Sequence, residues 1–244
     1  MEELEKTQKI VKTSFFIAVV TVAVLLVFPY DMKPKEWGIY ASSYFVTTLG
    51  LTVGGAAIGI LLGMLLAFLK FQKTNIEILD MIKDVIIDEY VDIMRGTPMV
   101  LQLLTLSFVV VILNNYWIAL IALGLNSAAY VEETIRSGIE SIDKGQMEAA
   151  RATGMPYRVA MNEIIMPQAI KNILPALLNE FINLFKETAV VGYISVVDIT
   201  MNSKSLQAAY YSVKPILFTG LVYYISVKLF SFIGKRLEMR LKEN

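Results

Sequence analysis

Six stretches of this 244-residue chain are too apolar for water, and they come in lengths that suit a lipid bilayer. They are Thr13–Phe28, Ala41–Leu69, Pro98–Leu113, Tyr116–Arg136, Leu174–Ile194 and Val213–Ile233. A run of about 18 or more predominantly apolar residues marks a membrane-span candidate, and several of the six reach that length. The first is short but nearly free of charge. The chain is 56% hydrophobic, against about 45–50% for an ordinary soluble domain, and its mean hydropathy is +0.58. The expected fold class is therefore an all-α integral membrane protein with six transmembrane helices.

Composition excludes several functions at once. Lys and Arg balance Asp and Glu at 22 each, so no basic footprint for nucleic acid exists. The chain has no cysteine and no histidine. That removes disulfides, thiolate chemistry, imidazole catalysis and the usual zinc sites. No G-x-x-x-x-G-K-[ST] phosphate loop is present, so the chain does not use ATP by itself in the P-loop way. Nor is there a His-Glu-x-x-His motif or a nucleophile–base set. No catalytic, metal-binding or cofactor-binding residue is assigned. The first apolar run lacks a small-residue cleavage site and ends on Pro29-Tyr30-Asp31, unlike a cleaved signal peptide.

The segments between spans carry the rest of the pattern. Met1–Lys12 reads as a solvated helical start and Asp31–Trp37 as a polar loop. Within the second run, Gly55, Gly59 and Gly63 recur every fourth residue beside Ala56 and Ala67. Small residues at that spacing let helix backbones approach closely in lipid. In Lys70–Arg95, apolar Ile76, Leu79, Ile82 and Ile86 recur at helical spacing among many charges, which predicts a helix along the membrane surface. Asn114-Asn115 predicts a tight turn and Asp198–Tyr211 a polar outer segment.

Most of the 22 basic residues fall on one side if the N-terminus is cytoplasmic; only Lys33, Lys35, Lys204 and Lys214 fall on the other. Lys186 and Lys228 lie within spans. The positive-inside rule then places both termini in the cytoplasm.

The longest water-facing stretch between two spans is Ser141–Gln168. Asp143 suits an N-cap, with Gln146 three residues on to close a capping box. Lys144–Thr153 favours helix, and Gly154 suits a left-handed helix end. Pro156 suits a second helix start, and Pro167 is expected to end that helix. The spacing Glu148-Ala149-Ala150, Gly154, Ile164, Pro167 resembles the EAA loop of permease subunits in bacterial ABC importers. Arg95-Gly96-Thr97-Pro98, Asn126–Glu133 and Pro167–Asn172 narrow the resemblance to polar amino-acid permeases of the histidine, glutamine and arginine type. The family usually has leucine where Met166 stands.

The resemblance covers roughly Ala41 to Leu241, and it implies several expectations. The fold would be a five-helix type I permease core at 41–244 with a coupling loop at 141–168. Residues 1–40 would add an N-terminal segment, helix and outer loop. The function would be the translocation pathway of an ATP-binding-cassette importer for polar amino acids, in a bacterial inner membrane. Partners would be a separate ATP-binding subunit holding ATP and magnesium, an extracellular or periplasmic amino-acid-binding protein, and a second permease subunit, identical or sister. Glu148, Ala149, Ala150, Gly154 and Pro167 would couple the chain to its ATPase. An ion-coupled secondary transporter or channel is the alternative; a broken-helix inverted repeat would favour it.

Ionisable residues inside a membrane are costly and need a reason. Before the elbow, Asn126, Tyr130 and Glu133 share a helix face, with Ser127 beside them. Glu132 and Arg136, four apart, can pair. After the elbow, Glu180, Asn183 and Glu187 share a face. Two such faces flanking one elbow predict a polar site near mid-membrane. Glu133, Glu187, Asn126, Tyr130, Asn183 and Ser127 are the candidate substrate contacts, suited to a zwitterion that needs both signs of charge. Glu133 and Glu187 could instead be structural. Arg95–Pro98 reads as organising a helix start rather than touching substrate, and Gln102 as a weaker pore candidate.

Overall fold

The computed structural model describes residues 2–72, 74 and 76–243, without the side chains of 2–6, 9 and 241–243. Lys73, and the side chains of Lys6, Lys9 and Lys242 counted above, lie outside the described residues. Among the described residues the secondary structure is entirely helical. α1 spans Glu2–Val27; α2, Pro34–Ser42, runs through a π-helical turn at Ser43–Thr48 into α3, Leu49–Phe71. α4 is Glu77–Gly96, α5 Met99–Val109 and α6 Asn115–Glu140. The elbow follows as α7, Lys144–Ala152, and α8, Tyr157–Ala160. A π turn at Met161–Ile165 leads into α9, Met166–Glu187, and a 3₁₀ segment at Thr188–Ile194 closes it. α10 is Ile199–Tyr210 and α11 Lys214–Glu243.

α6 is the central helix, and α3 lies against it through the glycines. A Cβ built on Gly55 would meet Leu123, one on Gly59 would meet Ser127 at 2.6 Å, and one on Gly63 would meet Val131 at 2.6 Å and the Ala128 carbonyl at 2.7 Å. The partners advance in step along both helices, so α3 and α6 run parallel. α9 returns against α6, with Gly138 under Ile173. α11 runs back against α9, where Phe181 and Phe185 meet Phe230. α1 lies antiparallel to α11, with Phe28 on Phe218 and Phe16 near Tyr224. These directions put the start of α1 and the end of α11 at the same end of the bundle as the elbow.

Among the described residues, four helical stretches are long and apolar enough to cross a membrane alone: Ile10–Val27, Pro34–Phe71, Asn115–Glu140 and Lys214–Arg240. The other two expected spans take different forms. α5 has 11 residues, about 16 Å of helix. α9 is amphipathic and buries Glu180 among its inward residues.

Two expectations change. Lys70–Arg95 does not lie flat on the membrane surface. α4 leans along α6, burying Ile87 and Val91 on Ala129, and the Tyr90 hydroxyl donates to the Leu125 carbonyl at 2.6 Å. The charged residues of its first half lie near the elbow end, and Asp88 pairs with Lys70 at the end of α3. There Asp80 accepts the Thr74 N–H at 2.9 Å and pairs with Lys83 at 3.1 Å.

Pro167 does not end the helix after the elbow. A proline has no N–H and crowds the carbonyl four residues back. The π turn before it absorbs that conflict, and the Met166 N–H reaches back to the Met161 carbonyl. The helix therefore continues without a break into α9, and Pro175 sits inside it.

The expected turn at Asn114-Asn115 is present. Asn114 caps α6 by accepting from Trp117 N–H at 3.1 Å, and Asn115 donates to the Ile194 carbonyl at 2.6 Å.

The glycine contacts generate a test. Gly63→Ala should lower the thermal stability of the detergent-solubilised chain by the equivalent of about 1–3 kcal/mol, the usual cost of overpacking. Gly220→Ala, where nothing lies within 4 Å of an added Cβ, should leave it unchanged. Equal melting temperatures for the two variants would contradict the close α3–α6 contact.

Candidate functional site

The polar site forms where the chain between α4 and α5 breaks. Thr97, ahead of Pro98, is driven to extended geometry (φ −116°, ψ 143°). Pro98 then starts α5, where its missing N–H costs nothing. The break leaves backbone carbonyls without helical partners, and Gln102 collects them. Its amide donates to the Met94 carbonyl at 2.7 Å, the Thr97 carbonyl at 3.0 Å and the Thr97 hydroxyl at 2.8 Å. Its oxygen accepts from Asn126 Nδ2 at 2.9 Å. Asn126, 2% exposed, lies about 16 Å along α6 from its first residue. Its Oδ1 has no hydrogen-bond partner among the described residues.

Arg95, the next-to-last residue of α4, stands over this break. Its guanidinium lies 3.3 Å from Glu133 and 5.5 Å from the centre of the Tyr130 ring. Glu133 is also paired with Arg136, which lies 3.3 Å from Glu140 and 3.7 Å from Glu132. Glu132 is fully buried, and neither of its oxygens is hydrogen-bonded among the described residues. The expected Glu132–Arg136 pair thus forms as a charge contact only. From α9, buried Glu180 accepts the Ser127 hydroxyl at 3.1 Å. Glu187 is half-buried two turns further on, and Asn183 between them is exposed.

The two helices that carry the candidate faces are joined directly by the Ser127–Glu180 bond. Asn126 and Tyr130 flank Ser127 on α6, and Asn183 and Glu187 follow Glu180 along α9. Glu133 belongs to an ion-pair chain at the lower edge of this region, which favours a structural task for that carboxylate. Arg95, Gln102 and Glu180, which are not among the candidate substrate contacts, make polar contacts in this region. The signal for Arg95 was its place one residue before Gly96-Thr97-Pro98: a helix broken inside a membrane brings the side chains beside the break to a polar site.

The elbow is a second site, at the end of the bundle. Asp143 caps α7 through the Gly145 N–H at 2.7 Å. The expected capping box does not form, because Gln146 turns instead to Gln168 on α9, 3.2 Å away. Gly154 holds φ +87°, the left-handed end expected of it. Asn172 donates to the Ser141 hydroxyl at 2.9 Å. Ile139, Ile165, Ala169 and Ile173 form the apolar seat of the elbow, with Met147 and Met161 against them. Glu148, Ala149 and Pro167 are exposed, whereas Ala150 turns inward.

Residues 59–243 match the sequence profile of the binding-protein-dependent transport system inner membrane components. The chain belongs to this family. As a member, it resembles the arginine transport system permease protein ArtQ of Bacillus subtilis (strain 168), 43% identical over 203 residues, 81% of this chain and 90% of that one. It is 37% identical over 225 residues to a protein of Rickettsia conorii provisionally named glutamine transport system permease protein GlnP, covering 89% of this chain and 100% of that one. Among solved structures, an amino acid ABC transporter crystallised with histidines matches with a TM-score of 0.75 and 36% identity, over 84% of this chain and 95% of that chain.

Gln102 carries the test of the broken-helix geometry. Gln102→Ala leaves the Met94 and Thr97 carbonyls and the Asn126 amide without this partner, at a cost of about 1–3 kcal/mol. Thermal unfolding should shift accordingly. Thr105→Ala, on the exposed side of α5, should not shift it. A Gln102 variant as stable as the wild type would refute the assigned network.

Proposed function

We propose that this chain is one of two permease subunits that enclose the membrane path of an ATP-binding-cassette importer for polar amino acids. One observation carries the substrate reading: Arg95 lies over the Tyr130 ring on α6, and Glu180 of α9 is hydrogen-bonded to Ser127, one turn away on the same helix. An amino acid presents one carboxylate and one ammonium, and a desolvated charge needs a partner of opposite sign. Arg95 offers a fork of N–H donors to the carboxylate. Glu187, Glu180 and the free Asn126 oxygen accept from the ammonium. Two carboxylates exceed what one ammonium needs, which favours a cationic side chain, and the relative from Bacillus subtilis is named for arginine.

Transport is powered from outside this chain. The elbow, with Glu148 and Ala149 outermost, docks on a separate ATPase subunit that supplies ATP and magnesium. The seat on Ile139, Ile165, Ala169 and Ile173 passes the motion of α7 to α6 and α9, the two helices that carry the site. ATP-driven closure then shifts the population between inward- and outward-open arrangements.

The excess of basic residues places the elbow and both termini in the cytoplasm. The opposite end faces an extracellular or periplasmic binding protein. Residues 1–40 form an added segment, although the helix from Pro34 continues past residue 40 into the core. The α4–α5 break is a device that ion-coupled transporters also use, but family membership favours the ATP-driven reading.

Two measurements test this. In the reconstituted complex, Glu187→Gln and Glu180→Gln should each weaken uptake at limiting substrate about ten- to a hundred-fold. That is the worth of a charge-assisted hydrogen bond, roughly 1.5–3 kcal/mol. Basal ATP hydrolysis should persist, and normal uptake in both variants would remove the carboxylates from the site. Gly154→Val, strained at φ +87°, should leave the chain inserted while reducing ATPase retention or uptake per ATP hydrolysed. Normal values for both would remove the elbow from the coupling path.

A further inference from the structure

Lys228 stands inside the last span, Lys214–Arg240, yet it points away from the polar site. It is exposed, 5.5 Å from the Tyr224 ring centre and 6.0 Å from that of Phe16 on α1. Ionisable residues in spans normally face a protein interior; this one faces outward, into the shallow groove between α1 and α11. Below it on the same helix, Lys235 lies two turns on, on the same face. Arg236 beside it stacks on Phe232 at 4.4 Å. Lys235 and Arg236 are exposed as well. None of the three makes an ion pair with a carboxylate among the described residues.

Three cations on one exposed strip of this apolar helix therefore lack an ion-paired carboxylate among the described residues. Exposed Ile225, Leu229, Phe232 and Ile233 surround them, a surface for acyl chains rather than for water. Lys228 lies eight residues, about 12 Å, above Arg236. The Phe16 and Tyr224 rings hold the Lys228 ammonium within the groove, one turn deeper than its own backbone. Lys12, one turn before Phe16 on α1, adds a fourth positive group on the opposite wall. The chemistry that satisfies such a strip is a phosphate carried on two fatty chains.

We propose that the α1–α11 groove at the elbow end binds the headgroup of an anionic phospholipid, with Lys235 and Arg236 as its phosphate ligands and Lys228 deeper, at the level of its ester oxygens. Lys235 and Arg236 take the phosphate oxygens, and the Lys228 ammonium donates to the ester carbonyls. The acyl chains run along Leu229, Ile225 and Tyr224. A bound lipid would tie α1 to α11, where the two helices otherwise meet mainly through Phe16, Tyr224, Phe28 and Phe218. The proposal rests on the membrane reading alone and is independent of which solute is transported.

The test is a native mass-spectrometric titration of the purified permease–ATPase complex. Phosphatidylglycerol is compared with phosphatidylcholine of identical chains. The wild type should retain phosphatidylglycerol at least tenfold more tightly. Lys228→Gln with Arg236→Gln should abolish that preference, Lys228→Arg should keep it, and Lys214→Gln at the opposite end should leave it intact. Equal binding of the two lipids by the wild type overturns the proposal, and that comparison needs no variant to fold. A preference that survives in the double variant, or falls equally in Lys214→Gln, also overturns it. Amino-acid uptake that fails while lipid preference stands would count against the transport reading only.

Discussion

The contact on which the rest of the molecule depends is the close parallel approach of α3 and α6. Lipid tails are as apolar as leucine, so helices in a membrane gain little from hydrophobic burial and rely on dispersion contacts at short range. Gly55, Gly59 and Gly63 remove the side chains that would hold the helices apart, and α6 enters to within a Cβ's width of the α3 backbone. With one face of α6 sealed in this way, its other faces are left for α4 and α9. Those two helices bring Arg95 and Glu180 to the same level. The site is built on α6 because α3 fixes where α6 stands.

The polar chemistry follows from a second constraint. Backbone groups buried away from water need partners. Pro98 creates a gap in the α4–α5 ladder that the chain fills with Gln102 and Asn126. A broken helix is thus stabilised by two side chains, and one buried acceptor, Asn126 Oδ1, is left without a partner among the described residues. The ion pairs from Arg95 through Glu133 to Arg136 and Glu140 continue toward the elbow. This chain of charges runs from the site toward the elbow end of the bundle.

Much of this was legible in the sequence, for identifiable reasons. Apolar runs report membrane burial directly, and glycines every fourth residue report close helix contact. Gly154 between two helix-favouring segments reports a left-handed turn, which the structure shows. Lys70–Arg95 was misread because its helical amphipathicity is the same whether the apolar side meets lipid headgroups or the side of α6. Pro167 was misread because local rules treat proline as a terminator, and a π turn one step earlier is invisible to them. Asp143 kept its predicted cap while Gln146 found a distant partner in Gln168, twenty-two residues away. Arg95 was read by its neighbours Gly96 and Pro98 as a helix starter, since only the tertiary crossing of α4 on α6 places it over Tyr130.

The central claim is that Arg95 and the α9 carboxylates read the two ends of one amino acid. Its most direct measurement uses the amino acid that the reconstituted complex imports best, together with its methyl ester, which keeps the ammonium and loses the carboxylate charge. The account predicts that the wild type binds the free amino acid at least tenfold more tightly than the ester. Arg95→Gln should bring that ratio close to one, while Glu187→Gln weakens both ligands and leaves the ratio standing. A ratio unchanged in Arg95→Gln would contradict the account.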